Sequence, residues 1–571
     1  MPHAFSMPAP GFQAVILCGP GSSFPTFTAN PDENPKALIP IANRPMVWYP
    51  IDFCYRMGVT NITLIAPPSS APAITAALNT NPHLTGLPLP KPDLLAPRAL
   101  DQNTGTAEIF RLPEVRELIQ GDFIVLPCDL VCELGGETLL ESWMVKDAGL
   151  GGATGGSKKV TGPKMAIGGE KGGRRGGIGV WYETKGDFSI KGEETDFIAT
   201  SPLEPSPVVP PKSSLLSHVS KLVYSVPTDT LNDITEEKKS MPIRHSLIRA
   251  HSRVRMLSSH RDAHIYIFPA WVIDMINSNE HMDSIGEDVV GWWAKAGWQV
   301  GLGEKLHLRE IFTTPEPDES DDDDDLVNKP AQIDVDYGTL STTWTTDLVL
   351  ESDSDEESED EDESKPVTPE EVPELVVPPI LAYVHPKGGK LVRRVDTAPL
   401  LLNISLQLAK LESIDAVGKE ASSPFAHQNK VAHPEGIASK TTVTRPDCLL
   451  AENVTVEEKS IIKETVIGAN CHIKTGAKLT RCVLMDGVVV GKNCRLTGCI
   501  LGRRCEIGDD STLQDCEVQE NLLVEPTTED KNNKLMSSEG MEATEAEIQE
   551  LVDDEEAMID DGDANTGIAF D

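Results

Sequence analysis

Between positions 450 and 524, aliphatic residues recur in steps of six, six and five: Leu450, Val456, Ile462, Ile467, Ile473, Leu479, Leu484, Val490, Leu496, Leu501, Ile507, Leu513, Val518 and Val524. An amphipathic helix needs a period of about 3.6, and a hairpin needs alternation broken by frequent turns. A hexad period fits neither. It fits a parallel β-helix, in which each hexad makes one flat face, three faces make one coil, and coils stack at about 4.8 Å. Small or apolar residues four places on (Val454, Val466, Cys471, Val483, Cys494, Cys505) would fill the prism. Gly468, Gly491, Gly502 and Gly508 directly follow four of the aliphatic positions.

The N-terminal part has a different rhythm. Apolar runs bounded by turn residues, QAVIL near 13–17, NITLIA at 61–66, DFIVLPCD at 122–129 and DAHIYIF at 262–268, alternate with helical stretches such as PMVWYPIDFCYRMG. Buried strands alternating with helices predict an α/β domain with a doubly wound, mostly parallel sheet, and a ligand site at the carboxyl ends of its strands. The expected organisation is this domain over 11–312 and 376–412, with flexible inserts near 149–179 and 200–245. An acidic disordered insert at 313–375, a linker at 413–445, a β-helix at 446–525 and an acidic disordered tail at 526–571 complete it.

The net charge of −40 is concentrated in the acidic segments. Residues 316–366 hold 21 acidic and 2 basic residues, and residues 526–571 hold 15 and 2. Such runs self-repel and bury too little apolar surface to offset chain entropy. They argue against direct nucleic-acid binding, because phosphate would be repelled. Ser352, Ser354 and Ser358 within ESDSDEESEDEDE are candidate phosphorylation sites, and EIQELVDDEEAMI in the tail is a candidate amphipathic helix. The glycine-rich insert carries Lys158, Lys159, Lys164, Lys171, Arg174 and Arg175, a basic loop able to meet phosphate or an acidic partner. No run of eighteen apolar residues and no signal peptide are seen, so a cytosolic protein without a membrane partner is expected. Of eleven cysteines, seven lie between Cys448 and Cys516 without zinc spacing. Cys482, Cys499 and Cys516 fall one coil apart, which predicts a buried ladder of free thiols. His472 is read as an exposed corner residue of the repeat, not a catalytic one.

The hexad segment resembles left-handed hexapeptide-repeat helices. The N-terminal segment AVILCGPGSSFPTFT…NPKALIPIANRPM resembles the opening of sugar-1-phosphate nucleotidyltransferases, AVILAGGxGTRLxPLT…PKPLLPVxNKPM. Further blocks match in order: Gln102, Gly105 and Thr106 in QNTGTA resemble the base-reading QxxGTA. IVLPCD ends at Asp129, where the family places a magnesium ligand. DAHIYIF resembles NAGIYxF, and Asp396 in VDT lies near a second metal carboxylate. The resemblance implies a nucleotide pocket built from Gly19, Gly21, Lys36, Gln102, Gly105 and Thr106, with Asp129 and Asp396 as vestigial metal candidates.

It also implies that the pocket is degenerate. Pro20 replaces a phosphate-cradling glycine, and Phe24 stands where the family has its catalytic arginine. A missing donor at developing negative charge costs about 3 kcal/mol or more. No catalytic residue and no cofactor are therefore expected, beyond a nucleotide or magnesium in the vestigial pocket. A transferase-like domain followed by a hexad helix resembles subunits of the eukaryotic guanine-nucleotide exchange factor for translation initiation. The segment SIGEDVVGWWAKAGWQ resembles one in these exchange-factor subunits, and the absence of a helical-repeat domain after the β-helix favours a non-catalytic member. The resemblance implies pairing with the epsilon subunit, assembly with alpha, beta and delta subunits in a decamer, and exchange of GDP for GTP on initiation factor 2. The alternatives are an active sugar-1-phosphate nucleotidyltransferase of the GDP-mannose pyrophosphorylase kind and a nucleotide-sensing regulatory subunit.

Overall fold

A computed structural model describes residues 12–20, 22–101, 103–144, 175–185, 189–190, 192–203, 214–241, 243–313 and 375–537. Gly21, Gln102, most of the glycine-rich insert, the acidic insert with Ser352, Ser354 and Ser358, and the tail helix candidate lie outside the described residues. The chain divides into two units between His427 and Gln428.

The first unit is built on one nine-stranded sheet. Its strands are β1 (Gln13–Leu17), β2 (Asn61–Ile65), β3 (Asp93–Leu95), β4 (Phe123–Pro127), β5 (Gly177–Glu183), β6 (Asp196–Ser201), β7 (Val219–Pro227), β8 (Arg255–Phe268) and β9 (Ile380–Val384). They are ordered β3-β2-β1-β4-β8-β5-β9-β7-β6. The first four run parallel, and Ala14, Val15 and Ile16 of β1 are 0% exposed, as an all-apolar strand covered on both faces requires. The helix Trp48–Met57 covers this half and ends at Gly58, whose φ of 84° is the left-handed stop that favours glycine.

Past β4 the sheet changes character. β8 pairs antiparallel with β4, β5 and β6, and β7 pairs antiparallel with β6 and β9, leaving only β5 and β9 parallel there. The parallel expectation thus describes one half of a mixed sheet. Antiparallel neighbours need no crossover helix, and among the described residues only the 3-10 turn Leu215–His218 lies between β6 and β7. Two expected inserts also contain core structure. Within 200–245, β7 enters the sheet with Leu222 and Val223 fully buried. At the end of 149–179, Arg175 is not in a solvated loop. It is 0% exposed, ion-paired with Asp122, and its carbonyl accepts a 2.9 Å hydrogen bond from Trp271 Nε1. Part of the expected linker likewise belongs to this unit. Arg44 donates to the carbonyls of Phe425 (2.9 Å) and Ala426 (2.8 Å), and the Phe425 ring packs on Tyr49 at 5.1 Å.

The second unit is a three-sided parallel β-helix whose faces are sheets of six, six and five strands. Ile467, Leu484, Leu501 and Val518 stack in register on one face, as the hexad pattern predicts. The helix is longer at both ends than that pattern indicated. Val431 and Ile437 bridge to Leu450 and Val456, so a coil precedes the first full repeat. A seven-residue step from Val443 to Leu450 hides it from a strict count. At the other end Glu529–Lys531 continues the stack with polar residues where earlier coils have aliphatic ones.

Corners are turned by residues in the left-handed region: Asn453, Lys459, Glu464, Asn470, Gly476, Arg481 and their successors repeat the six-six-five spacing. His472 is therefore not a corner residue. It lies on a flat face two residues after the corner, with Nε2 3.1 Å from Glu457. All eleven cysteines are free and buried, and Cys482, Cys499 and Cys516 occupy equivalent positions of successive coils.

The glycines after the aliphatic positions are required by close approach. A Cβ at Gly491 would lie 2.7 Å from the Asp509 amide nitrogen, from Asp509 Oδ1 and from the Gly508 carbonyl carbon. Gly491→Ala is expected to lower the stability of the β-helix unit by roughly 1–3 kcal/mol, whereas Asn493→Gly, at a left-handed corner, is expected to change it by only a few tenths. Urea unfolding followed by circular dichroism measures both.

Candidate functional site

β1 and β4 are parallel neighbours in which Leu17 pairs with both Ile65 and Pro127, so the chain leaves them at one level. Cys18, Gly19 and Pro20 follow β1, and Cys128 and Asp129 follow β4. Together with Lys36, Thr106, His264, Tyr266 and Arg394 they line a cavity of about 180 Å³. It sits where ligands enter parallel sheets. Its volume is below the roughly 300–1,000 Å³ usual for small-molecule sites.

One side of the cavity is a row of alternating charges. Lys36 Nζ lies 2.7 Å from Asp129 Oδ2, and Arg394 Nε lies 3.3 Å from Asp129 Oδ1. Arg394 also reaches Asp396 at 3.7 Å, and Arg261 holds Asp396 from the other side with contacts of 3.2 and 2.6 Å. Burial opposes the charge on Asp129, but Lys36 and Arg394 outweigh it and hold the carboxyl well below the ordinary range. Magnesium needs near-octahedral oxygen ligands at about 2.0–2.1 Å. Here both oxygens of each carboxylate are committed to cations. Among the described residues no group of three or more His, Cys, Asp or Glu side chains is placed to hold a metal ion. Magnesium does not fit this site.

Beside it, Asp196, Asp262, Ser225, Ser284 and Glu287 line a second cavity of about 170 Å³, which shares Thr106 and His264 with the first. Asp262 accepts a hydrogen bond from Tyr266 and another from the His264 amide at 2.8 Å. Burial, then the nearby charge of Asp196, pushes the Asp262 carboxyl up to about 7. His264 stands where the resemblance places the glycine of NAGIYxF, and its φ is 51°. Most residues find that conformation costly. The side chain borders both cavities, where a glycine would leave space. Burial and then Arg394 depress its basicity well below the usual histidine value.

The structure brings Gly19, Lys36, Thr106 and Asp129 to one cavity and joins Asp396 to it through Arg394. Gly105 has a packing role: a Cβ there would lie 2.3 Å from the Asp283 carbonyl oxygen. Thr106 Oγ1 accepts the Ile285 amide at 3.0 Å. Gly21 and Gln102 lie outside the described residues. Phe24 is 1% exposed, a core residue with Lys36 6.0 Å from its ring. Sequence reasoning missed Arg394, Arg261 and His264. The signal for Arg394 was legible in VRRVDT, where an arginine pair stands one residue short of the expected metal carboxylate.

Residues 428–529 match the protein family described as EIF2B subunit epsilon LbH domain. Over 307 residues the chain is 26% identical to the translation initiation factor eIF2B subunit gamma of Schizosaccharomyces pombe (strain 972 / ATCC 24843), covering 53% of this chain and 56% of the relative. The chain thus spans about half the length of the curated relative it matches. In sequence it is similar to a gamma subunit, and its C-terminal unit carries a left-handed β-helix similar to that of the epsilon subunit. No helix among the described residues is long and apolar enough to cross a membrane.

Two outcomes follow from this geometry. Millimolar magnesium is expected to leave the melting temperature of the chain unchanged. In Arg394→Met, which frees an oxygen of Asp129, stability is expected to fall by about 3–5 kcal/mol and to be partly recovered by magnesium. Calorimetry with and without the ion reads both. For Asp262, a folded-state value near 7 against about 4 in the unfolded chain favours folding while the carboxyl is protonated. That stabilisation is complete below about pH 4 and is lost as pH rises through 7, a span of roughly 4 kcal/mol. The buried histidines with depressed values act in the opposite sense, so the variant comparison isolates the carboxyl. Asp262→Asn is expected to melt higher than the parent at about pH 8 and close to it at about pH 4.

Proposed function

We propose that the chain is the non-catalytic, gamma-type subunit of translation initiation factor 2B, which exchanges GDP for GTP on initiation factor 2 in the cytosol. In this reading it pairs with the epsilon subunit to form the catalytic subcomplex, joins the alpha, beta and delta subunits in a decamer, and helps to bind initiation factor 2. The similarity to the gamma subunit supports membership of the complex. The observation that carries the non-catalytic role is Arg394. Its guanidinium lies between the two carboxylates that a nucleotidyltransferase would offer to magnesium. A cation fixed in the protein neutralises them permanently and leaves no ligand for a triphosphate-bound metal.

Three further features agree. Phe24 is core where the resemblance expects the arginine that steadies the leaving group. Pro20 removes one backbone donor from the phosphate turn. His264 occupies volume a glycine would leave open. What remains is a sheet with a small pocket in one unit and a β-helix of flat faces in the other. Both suit assembly, in which specificity comes from shape and a few buried anchors.

One observation favours an active sugar-1-phosphate nucleotidyltransferase instead: Lys36 and Arg394 both border the cavity and would face an incoming phosphate. Each is already ion-paired with Asp129, and phosphate would have to compete with a carboxylate held at 2.7 Å by Lys36. The two readings separate cleanly. Affinity purification of the full chain from cells is expected to recover epsilon, alpha, beta and delta subunits of initiation factor 2B, identified by mass spectrometry. The purified chain is expected to release no pyrophosphate above background from sugar 1-phosphates and nucleoside triphosphates with magnesium. Turnover without co-purifying subunits reverses the assignment.

A further inference from the structure

Acidic residues outnumber basic ones 90 to 50 in this chain, yet one surface is strongly basic. The run from Lys238 to Arg255 carries Lys238, Lys239, Arg244, Arg249, Arg253 and Arg255, two histidines, and no aspartate or glutamate. Its short helix His245–Ala250 is pinned by Leu247, which is buried with Ala199, Val223 and Trp298. So anchored, Arg244, Arg249, Arg253 and Arg255 are exposed, interleaved with exposed Ile243 (42%), Ile248 (59%) and Met256 (43%). Among the described residues none of these four arginines has a carboxylate within ion-pair distance.

The surface continues across the sheet. Met256 pairs with Ala199, and Ala199 with Tyr224. Lys295 lies over the rings of Tyr224 (5.0 Å) and Trp292 (4.6 Å). Burial lowers the basicity of Lys295, Glu287 and Asp288 oppose this, and Arg244 adds a smaller lowering, so the helix Val290–Ala296 lies within reach of Arg244 at the edge of the basic surface.

Solvated arginines alone would need no explanation. The attachment of the acidic insert gives the surface a specific occupant. Phe312, just before the insert, packs on Trp271 at 5.2 Å, and Trp271 packs on Trp293 at 4.8 Å. Just after it, the Pro378 carbonyl accepts a 2.7 Å hydrogen bond from Trp293 Nε1. Trp293 adjoins Trp292 and shares the helix of Lys295, so both ends of the insert are fixed to the element that borders the basic surface. Residues 316–366 carry 21 acidic and 2 basic side chains. Tethering holds such a segment at an effective concentration of about millimolar, above that of most free partners. Its Leu348, Val349 and Leu350, directly before ESDSDEESEDEDE, match the apolar residues among the arginines.

We propose that the acidic insert, residues 316–366, docks in cis on the surface formed by Arg244, Arg249, Arg253 and Arg255, so that an acidic partner must displace it to bind there. The proposal is independent of the exchange-factor reading.

Zero-length carbodiimide coupling of the full chain, mapped by mass spectrometry, tests it. Carboxylates of 316–366 are expected to join Lys238 and Lys239 at least tenfold more often than Lys410, which is also exposed. The preference is expected to vanish in about 1 M salt, where charges are screened beyond roughly 3 Å, and in the variant Arg244→Glu/Arg249→Glu/Arg253→Glu. If the triple variant melts early, Arg249→Glu alone is expected to reduce the coupling several-fold. Coupling to Lys238 and Lys239 no more frequent than to Lys410, or undiminished in the charge-reversed chains, overturns the proposal.

Discussion

The ion pair between Asp129 and Arg394 is the constraint on which the N-terminal unit depends. Asp129 follows β4 and is 1% exposed, while Arg394 closes a short strand that arrives 265 residues later in the chain. Taking two charges out of water costs several kcal/mol per ion, and mutual attraction offsets this only with good geometry and further partners. Those partners are present: Lys36 completes Asp129, and Arg261 completes Asp396. The row therefore stitches the 3-10 turn Lys36–Leu38, the end of β4, the middle of β8 and the segment leading into the helix Ala398–Lys410. Each member leaves an uncompensated buried charge if any neighbour is lost, so the set is held as a whole.

Such a row trades one kind of chemistry for another. A carboxylate pair awaiting a metal must remain unpaired, hydrated and mobile enough to coordinate. A carboxylate pair clamped by guanidinium groups is dry and rigid. His264 pushes the same way: its left-handed backbone persists because Asp262 accepts its amide and Tyr266 packs 6.0 Å away, ring to ring. Strained residues of this kind survive where surrounding structure over-determines them. At this site the strain places bulk in the space between the cavities.

How much of this was legible in the sequence depends on the range of the interaction concerned. The β-helix was readable because its core is made by stacking residue i on residue i+17, so the packing rule is printed in the chain as a period. Where that rule lapses, at the seven-residue step after Val443 and at polar Asp530, the reading stopped short although the coil continues. The parallel half of the sheet was readable from unbroken apolar strands. β7 was not, since its buried and part-buried positions alternate irregularly around a bulge between Leu222 and Tyr224. Arg175 was misplaced for a simpler reason. Sequence composition assigns it to the glycine-rich loop beside it, whereas Asp122, its partner across 53 positions, draws it into the core.

The candidate site was legible as positions but not as chemistry. Lys36, Thr106 and Asp129 were found by matching blocks, and all border one cavity. Block matching does not reveal what a carboxylate is bonded to. Arg394 and Arg261 stand just before the matched blocks VDT and DAHIYIF, which say nothing of their partners, and only the fold brings them to Asp129 and Asp396. The same holds in reverse for Gly105, a motif residue whose small size is demanded by the Asp283 carbonyl and not by any ligand. A motif preserved for packing and a motif preserved for chemistry read identically along the chain. They separate only when the neighbours of each atom are known, and here the neighbours of both carboxylates are cations supplied by the protein itself.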